Sequence, residues 1–288
     1  MKRISFIGLG NMGYPMAGHL VKNNYNVTVY NRSSSKAIKW SEEYKSHYTD
    51  SLNELLTNTD ILVLCVGNDN DIKEIIEKAT NSLKNGSIII DHTTSSANIA
   101  RECYHLLKTK NISFIDAPVS GGQVGAQNGQ LTIMVGGDED SYKEVEPLLY
   151  SYAKKVTYMG ESGNGQLTKM VNQICLVGVI QGLAEGINFA IKSKLDPKKV
   201  IEVISQGAAG SWQMDNRSLT MIEDKFDFGF AINLVRKDLD IVLAEAIKNS
   251  AELPVTSLIN QFYQKLVEHD MGKYDTSALI KLLNSNLS

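Results

Sequence analysis

Lys169, Asn172 and Gln173 stand at i, i+3 and i+4 within a segment, 163–192, that otherwise reads as apolar helix. That spacing sets an amine and two amides on one helical face. An ammonium taken out of water without a partner is costly and responds by shifting its pKa. The triplet therefore asks for a cleft or a ligand, although an exposed first turn is the default reading for Lys169 taken alone. A second candidate is Ser120-Gly121-Gly122, where a hydroxyl adjoins closely spaced backbone N–H groups. Such a nest suits a carboxylate, and a tight turn capped by serine fits the same three residues. The third is the run Gly8-Leu9-Gly10-Asn11-Met12-Gly13. Gly8 permits a tight turn, Gly10 lets backbone amides approach a pyrophosphate, and Gly13 lets the next helix pack closely on its strand.

These residues need elements to hold them. RISFI (3–7) is a β-type run, the helical pattern from about Met12 to Lys22 follows the glycines, and NVTVY (26–30) is the next strand. Strand, glycine-rich turn, helix and strand within about 30 residues is the setting a dinucleotide fingerprint requires, with the helix N-terminus adding positive potential at the phosphates. After the second strand, Asn31-Arg32-Ser33 stands where an acid would grip a ribose 2′-hydroxyl. A guanidinium there binds a 2′-phosphate instead, so NADP is the expected cofactor, with NAD as the alternative. A solvated surface Arg32 is the plain reading of that residue.

The alternation continues through apolar strands at 60–66, 87–91 and 113–117 and closes with strands at 131–135 and 155–159, the late ones suited to antiparallel pairing. Ligands of open sheets sit beyond the carboxyl ends of the strands. Val66-Gly67-Asn68, Thr94 and Ser120-Gly121-Gly122 are thereby expected around one crevice. Segment 163–192, about 45 Å long at 1.5 Å per residue, reads as a helix buried on nearly every side. Asp196-Pro197 then opens a helix ending near Gly207, residues 208–212 read as a loop, and helical patterns follow at 232–248, 255–269 and 276–284. The expected architecture is α/β: a Rossmann-type doubly wound N-terminal domain (1–162), an inter-domain helix (163–192) and an all-α C-terminal domain (193–288).

A chain of 288 residues with 43% hydrophobic and 21% charged residues is ordinary for a globular protein of two domains. Net charge of -3 and the lack of a basic run argue against nucleic acid. Three cysteines without CxxC spacing point to a reducing compartment, and the glycines at 8, 10 and 13 break any leader-like h-region. The most apolar run, 174–180, is shorter than a bilayer span. A cytoplasmic protein with no membrane partner is expected. The five histidines show no metal-ligand spacing, so no metal is expected, and each reads as a surface or packed residue, with His92 near the crevice.

FIGLGNMGYPMAGHL at the start, DAPVSGGQVGAQNGQLTIMVGG at 116–137, GNGQLTKMVNQ at 163–173 and KDLDIVLAEA at 237–246 together resemble the β-hydroxyacid dehydrogenase family. The likeness runs over the whole chain in order. It implies that Lys169 is the catalytic acid/base, that Ser120, Gly121 and Gly122 hold a substrate carboxylate, and that Asn172 and Gln173 position the substrate. Thr94 and Lys237 would line the nicotinamide and ribose side, completing a cofactor set of Gly8, Gly10, Asn11, Met12, Gly13, Asn31, Arg32, Ser33, Val66, Gly67 and Asn68. Family members often carry Asn where Gln173 stands, while imine-reducing relatives lack the lysine kept here. The resemblance further implies a homodimer or homotetramer, and a small β-hydroxyacid or semialdehyde as substrate. GAAGSW at 207–212 looks more like the hydroxyisobutyrate branch than the short-semialdehyde reductases. A dinucleotide-binding scaffold without turnover is the alternative from another class, and the intact Lys169 argues against it.

Overall fold

The structure is a computed structural model describing residues 2–283. The chain divides into a unit ending at Lys169 and a unit beginning at Met170.

In the first unit the strands are β1 (Arg3–Ile7), β2 (Asn26–Tyr30), β3 (His47–Tyr48), β4 (Ile61–Leu64), β5 (Ile88–Asp91), β6 (Ser113–Asp116), β7 (Val119–Ser120), β8 (Leu131–Gly136) and β9 (Ala153–Gly160). Between them lie α1 (Gly13–Lys22), α2 (Ser34–Tyr44), α3 (Leu52–Thr57), α4 (Asp69–Ser82), α5 (Ala97–Lys108), α6 (Gly122–Gln127) and α7 (Glu139–Leu149). One sheet runs in the order β3-β2-β1-β4-β5-β6-β8-β7, with β9 against β8. The first six strands in space are parallel, and β8 reverses the direction against β6 and β7. Because side chains alternate along a strand, Ile61, Val63, Ile88 and Ile90 enter one apolar core while Leu62, Leu64 and Ile89 enter the other. Burial on both faces is what the near-continuous apolar runs anticipated. This doubly wound sheet is the Rossmann arrangement.

Helix α8 (Asn164–Lys192) runs without a break from the first unit into the second. The second unit continues with α9 (Pro197–Ile204), α10 (Trp212–Ile222), α11 (Ile232–Asn249), α12 (Pro254–Glu268) and a closing 3-10 helix (Thr276–Leu282). Val177, Ile180, Ala184 and Ile187 of α8 share its core with Val235, Leu239 and Tyr263. The buried Asp275 carboxylate ties the closing segment down. It accepts from Phe230 N–H at 2.9 Å and Ser277 Oγ at 2.7 Å, and pairs with Arg217 Nε at 3.2 Å.

Several expectations are corrected. Helix α8 is not buried all round, since Val171, Val179 and Phe189 are exposed, the last by 71%. A Cβ on Gly178, Gly182 or Gly186 would meet nothing within 4 Å. By length and composition α8 is also apolar enough to cross a membrane, with a mean hydropathy of 1.7 over its best window, so the seven-residue run alone understated it. Trp212 opens α10 rather than lying in a loop, because the Ser211 hydroxyl caps that helix by accepting from Met214 N–H at 3.1 Å. The last segment is 3-10 rather than α-helix, and the expected end at Asn284 lies outside the described residues.

Candidate active site

The strand order places the ends of β1, β4, β5, β6 and β7 along one edge of the sheet. The glycine turn leaves β1 there. Gly8 has φ of 99°, a conformation open to glycine, and a Cβ on it would sit 2.2 Å from Cys65 O. A Cβ on Gly13 would sit 2.0 Å from Gly8 O, whereas Gly10 faces open space and is exposed. The turn is therefore closed at its two ends and open in the middle. Met12 stands at the N-cap of α1 and supplies no side-chain cap, so Asn11, Met12 and Gly13 lie at a helix N-terminus of partial positive charge. Asn31 braces the loop from β2: its Oδ1 accepts from Leu9 N–H at 2.9 Å, and its Nδ2 donates to Ser33 O at 3.1 Å. These features fit a dinucleotide pyrophosphate.

Arg32 is largely exposed, and its guanidinium pairs with Asp71 Oδ1 at 3.3 Å. Asp71 Oδ2 accepts from Gly67 N–H at 3.0 Å, which joins the end of β2 to the loop after β4. In that loop Asn68 Oδ1 caps α4, accepting from Asn70 and Asp71 N–H at 2.9 and 3.1 Å. Val66 N–H donates to Thr93 Oγ1 at 3.0 Å. Next to it, Asp69 accepts from Ser96 N–H at 3.0 Å and from its Oγ at 2.6 Å, and Ser96 in turn caps α5. Thr94 is half-buried among these anchored neighbours.

Ser120 closes β7 in register with Thr132. Gly121 and Gly122 follow with φ of 130° and 61°, and a Cβ on Gly122 would again meet nothing within 4 Å. Lys169 is only 8% exposed and belongs to the first turns of α8. Beyond it, in the second unit, Gln173 is 1% exposed. Gln173 Oε1 accepts from Asn172 Nδ2 at 2.8 Å, and its Nε2 donates to Asp238 Oδ2 at 2.7 Å. Asp238 is buried on α11, with Lys237 Nζ 3.4 Å from its other oxygen. The structure thus brings Asn172, Gln173 and Lys237 together around Asp238, a residue the sequence reading passed over. The KDLD run around it carried the signal, but only a contact across 65 residues reveals its partner.

His92 is packed. The Ala117 carbonyl lies 2.6 Å from Nδ1 and the Tyr152 hydroxyl 2.8 Å from Nε2, so the ring donates to the first and accepts from the second. Burial holds its pKa down to about 4. Among the described residues no group of His, Cys, Asp or Glu could hold a metal ion.

A Rossmann sheet with this glycine turn defines the class of dinucleotide-binding proteins, and the comparisons narrow that class. Residues 3–160 match the family model described as the NAD binding domain of 6-phosphogluconate dehydrogenase. Residues 163–283 match the NAD-binding domain of NADP-dependent 3-hydroxyisobutyrate dehydrogenase. An uncharacterized oxidoreductase of Shewanella frigidimarina is 49% identical over the full length of both chains. A probable mitochondrial 3-hydroxyisobutyrate dehydrogenase-like protein of Arabidopsis thaliana is 40% identical, over 98% of this chain and 85% of its own. The structure of Mycobacterium tuberculosis 3-hydroxyisobutyrate dehydrogenase with L-serine superposes with a TM-score of 0.89 at 28% identity, covering 99% of this chain and all of the other. The chain belongs to the β-hydroxyacid dehydrogenase family and is an NAD(P)-dependent dehydrogenase.

Proposed function

We propose that this enzyme oxidises a small β-hydroxyacid to its semialdehyde and catalyses the reverse reduction, with 3-hydroxyisobutyrate the leading substrate. The observation that carries the reading is a nearly buried lysine at the head of α8, in a chain that also keeps the Ser120-Gly121-Gly122 turn. The family membership and the solved relative holding L-serine, itself a small acid with a β-hydroxyl, support the same substrate class.

In the proposed mechanism the Ser120 hydroxyl and the Gly121 and Gly122 amides take the substrate carboxylate. Lys169 Nζ reaches the reacting oxygen, and Asn172, oriented through Gln173 by Asp238, steadies the substrate. NADP, held by the Gly8–Gly13 turn and its neighbours, would supply the hydride acceptor or donor when bound. In oxidation the neutral amine of Lys169 takes the hydroxyl proton as the C–H pair departs as hydride, leaving C=O and an ammonium. In reduction the ammonium stabilises the growing alkoxide and returns the proton. Thr94 and Lys237 are assigned to the nicotinamide and ribose side, and Val66, Gly67 and Asn68 to the cofactor as well. The closed-ended turn at Gly8–Gly13 receives the pyrophosphate, and Arg32, with Asn31 and Ser33, receives a 2′-phosphate. NADP is accordingly the proposed preference. We assign these tasks to a dinucleotide domain at 1–162, a connecting helix at 163–192 and a helical domain at 193–288. The exposed Val171, Val179 and Phe189 of α8 and the family resemblance support a homodimer or homotetramer.

A panel of small hydroxyacids and semialdehydes followed by NADPH absorbance tests the reading. Turnover highest on 3-hydroxyisobutyrate supports it. Preference for tartronate semialdehyde, succinic semialdehyde or glyoxylate moves the enzyme to the reductase branch, and a dinucleotide bound without turnover on any member makes it a scaffold.

A further inference from the structure

The residues under the loop that carries Thr94 form one connected polar assembly. Gln166 is fully buried on the first turn of α8. Its Oε1 accepts from Ser95 N–H at 3.1 Å and its Nε2 donates to Thr93 O at 2.8 Å. Reversing the amide would set donor against donor and acceptor against acceptor, so its orientation is fixed by chemistry. The backbone of the same residue is held from below: Asp116 Oδ2 accepts from Gln166 N–H at 3.0 Å, and Oδ1 from Gly163 N–H at 2.7 Å. Asp116, at the end of β6, thereby caps α8 from another element and satisfies two of the N–H groups that a helix start leaves without partners. No side chain larger than glycine fits the turn, because a Cβ on Gly165 would lie 2.5 Å from Met134 O. Lys169 follows Gln166 by three residues, one turn along the same face.

We propose that Gln166 is a positioning residue, holding Thr94 and Lys169 in one fixed relation for hydride and proton transfer. The proposal rests on the reading of Lys169 and Thr94 given above. A carboxamide that grips the Thr93–Ser95 backbone while its own main chain is seated on β6 ties the loop to the start of the helix. Transfer chemistry is sensitive to displacements of about 1 Å, which can cost about a hundredfold in rate. Loss of the grip therefore lowers turnover while the dinucleotide, bound chiefly at the Gly8–Gly13 turn, stays bound.

The test compares Gln166→Met and Gln166→Glu with the native enzyme on the most active substrate of the panel. Gln166→Met keeps the volume and removes both side-chain hydrogen bonds. It is expected to lose tenfold or more in kcat, to keep its dinucleotide Kd within about threefold, and to show a larger primary deuterium isotope effect with 4-deuterated NADPH. A folded Gln166→Met with kcat within twofold of native and an unchanged isotope effect overturns the proposal. Gln166→Glu carries the test if the methionine variant does not fold. A neutral carboxylic acid can accept from Ser95 and donate to Thr93, whereas a carboxylate cannot donate, so its kcat relative to native should rise as pH falls. A ratio that stays below about one tenth, without recovery down to the lowest pH at which the variant folds, overturns the proposal as well, since burial favours the neutral acid. Lys169→Ala is measured alongside. Its collapse with native-like Gln166 variants sinks the positioning role alone, while near-normal turnover of Lys169→Ala sinks the lysine reading and the proposal with it.

Discussion

Arg32 and Lys169, the two basic residues given roles in the proposed reaction, are held very differently. Lys169 is nearly buried, and Arg32 is exposed and engaged with Asp71. An exposed ion pair contributes about 1 kcal/mol or less, so the guanidinium can leave Asp71 for a phosphate dianion, which it binds bidentately. Replacing Arg32 by Asp sets a second carboxylate beside Asp71 and repels that dianion. The ratio of kcat/KM for NADP over NAD is expected to fall at least tenfold, as steady-state rates with both cofactors would show, and an unchanged ratio defeats the phosphate assignment. The tight turn at Gly8 and Gly13 was legible in the sequence because glycine type and local spacing define it, whereas the roles of Arg32 and Lys169 are proposals, the second taken from the family resemblance. Gln166 and Asp238 were not legible. Gln166 stands inside a quoted motif, yet its partners Ser95 and Thr93 lie 71 and 73 residues away.

The end of β5 places two titrating residues of opposite tendency next to each other. Asp91 is fully buried, and its Oδ2 has no hydrogen-bond partner among the described residues. Burial pushes its carboxyl up to about 7 against the hydrogen bond from Thr93, with Asp116 and Asp69 adding to the rise. Burial pulls the neighbouring His92 down to about 4. The folded pKa of Asp91 lies above its unfolded value of 3.8, so its contribution to stability is complete below about pH 3.8 and is lost as pH rises through 7. The total is about 4 kcal/mol. His92 acts in the opposite sense: its contribution is complete above about pH 6.5 and is lost as pH falls through 4. The two slopes oppose each other between about pH 4 and 6.5. Asp91→Asn removes one of them, so in urea titrations it should match the native chain within about 1 kcal/mol at pH 4.5 and exceed it by about 2–4 kcal/mol at pH 8. A difference independent of pH would show that Asp91 is ionised in the fold. Elements were easiest to read where burial is uniform, as in β4 and β5, whose apolar runs could only be interior strands. Helix α8 was misjudged because an apolar composition does not reveal which face meets solvent. The start of α10 was missed because its signal is a single capping serine.

At the scale of the whole molecule, two family models match residues 3–160 and 163–283, dividing the chain where its pattern changes from alternating strands and helices to helices alone. The ordered motifs made the fold class and the family legible, whereas the substrate was not, since the hydroxyisobutyrate and short-semialdehyde readings share those motifs. Assembly is open to direct measurement: light scattering on the purified chain should return two or four times the monomer mass, and a monomer at micromolar concentration would remove the oligomer from the proposal. The account stands most directly on the proton carried by Lys169. Turnover and dinucleotide affinity of Lys169→Ala, measured together on the best substrate, provide the test. The account predicts a loss of at least a hundredfold in kcat with the dinucleotide Kd little changed, as general acid–base contributions of about a hundredfold to ten-thousandfold imply. A kcat close to native would contradict it.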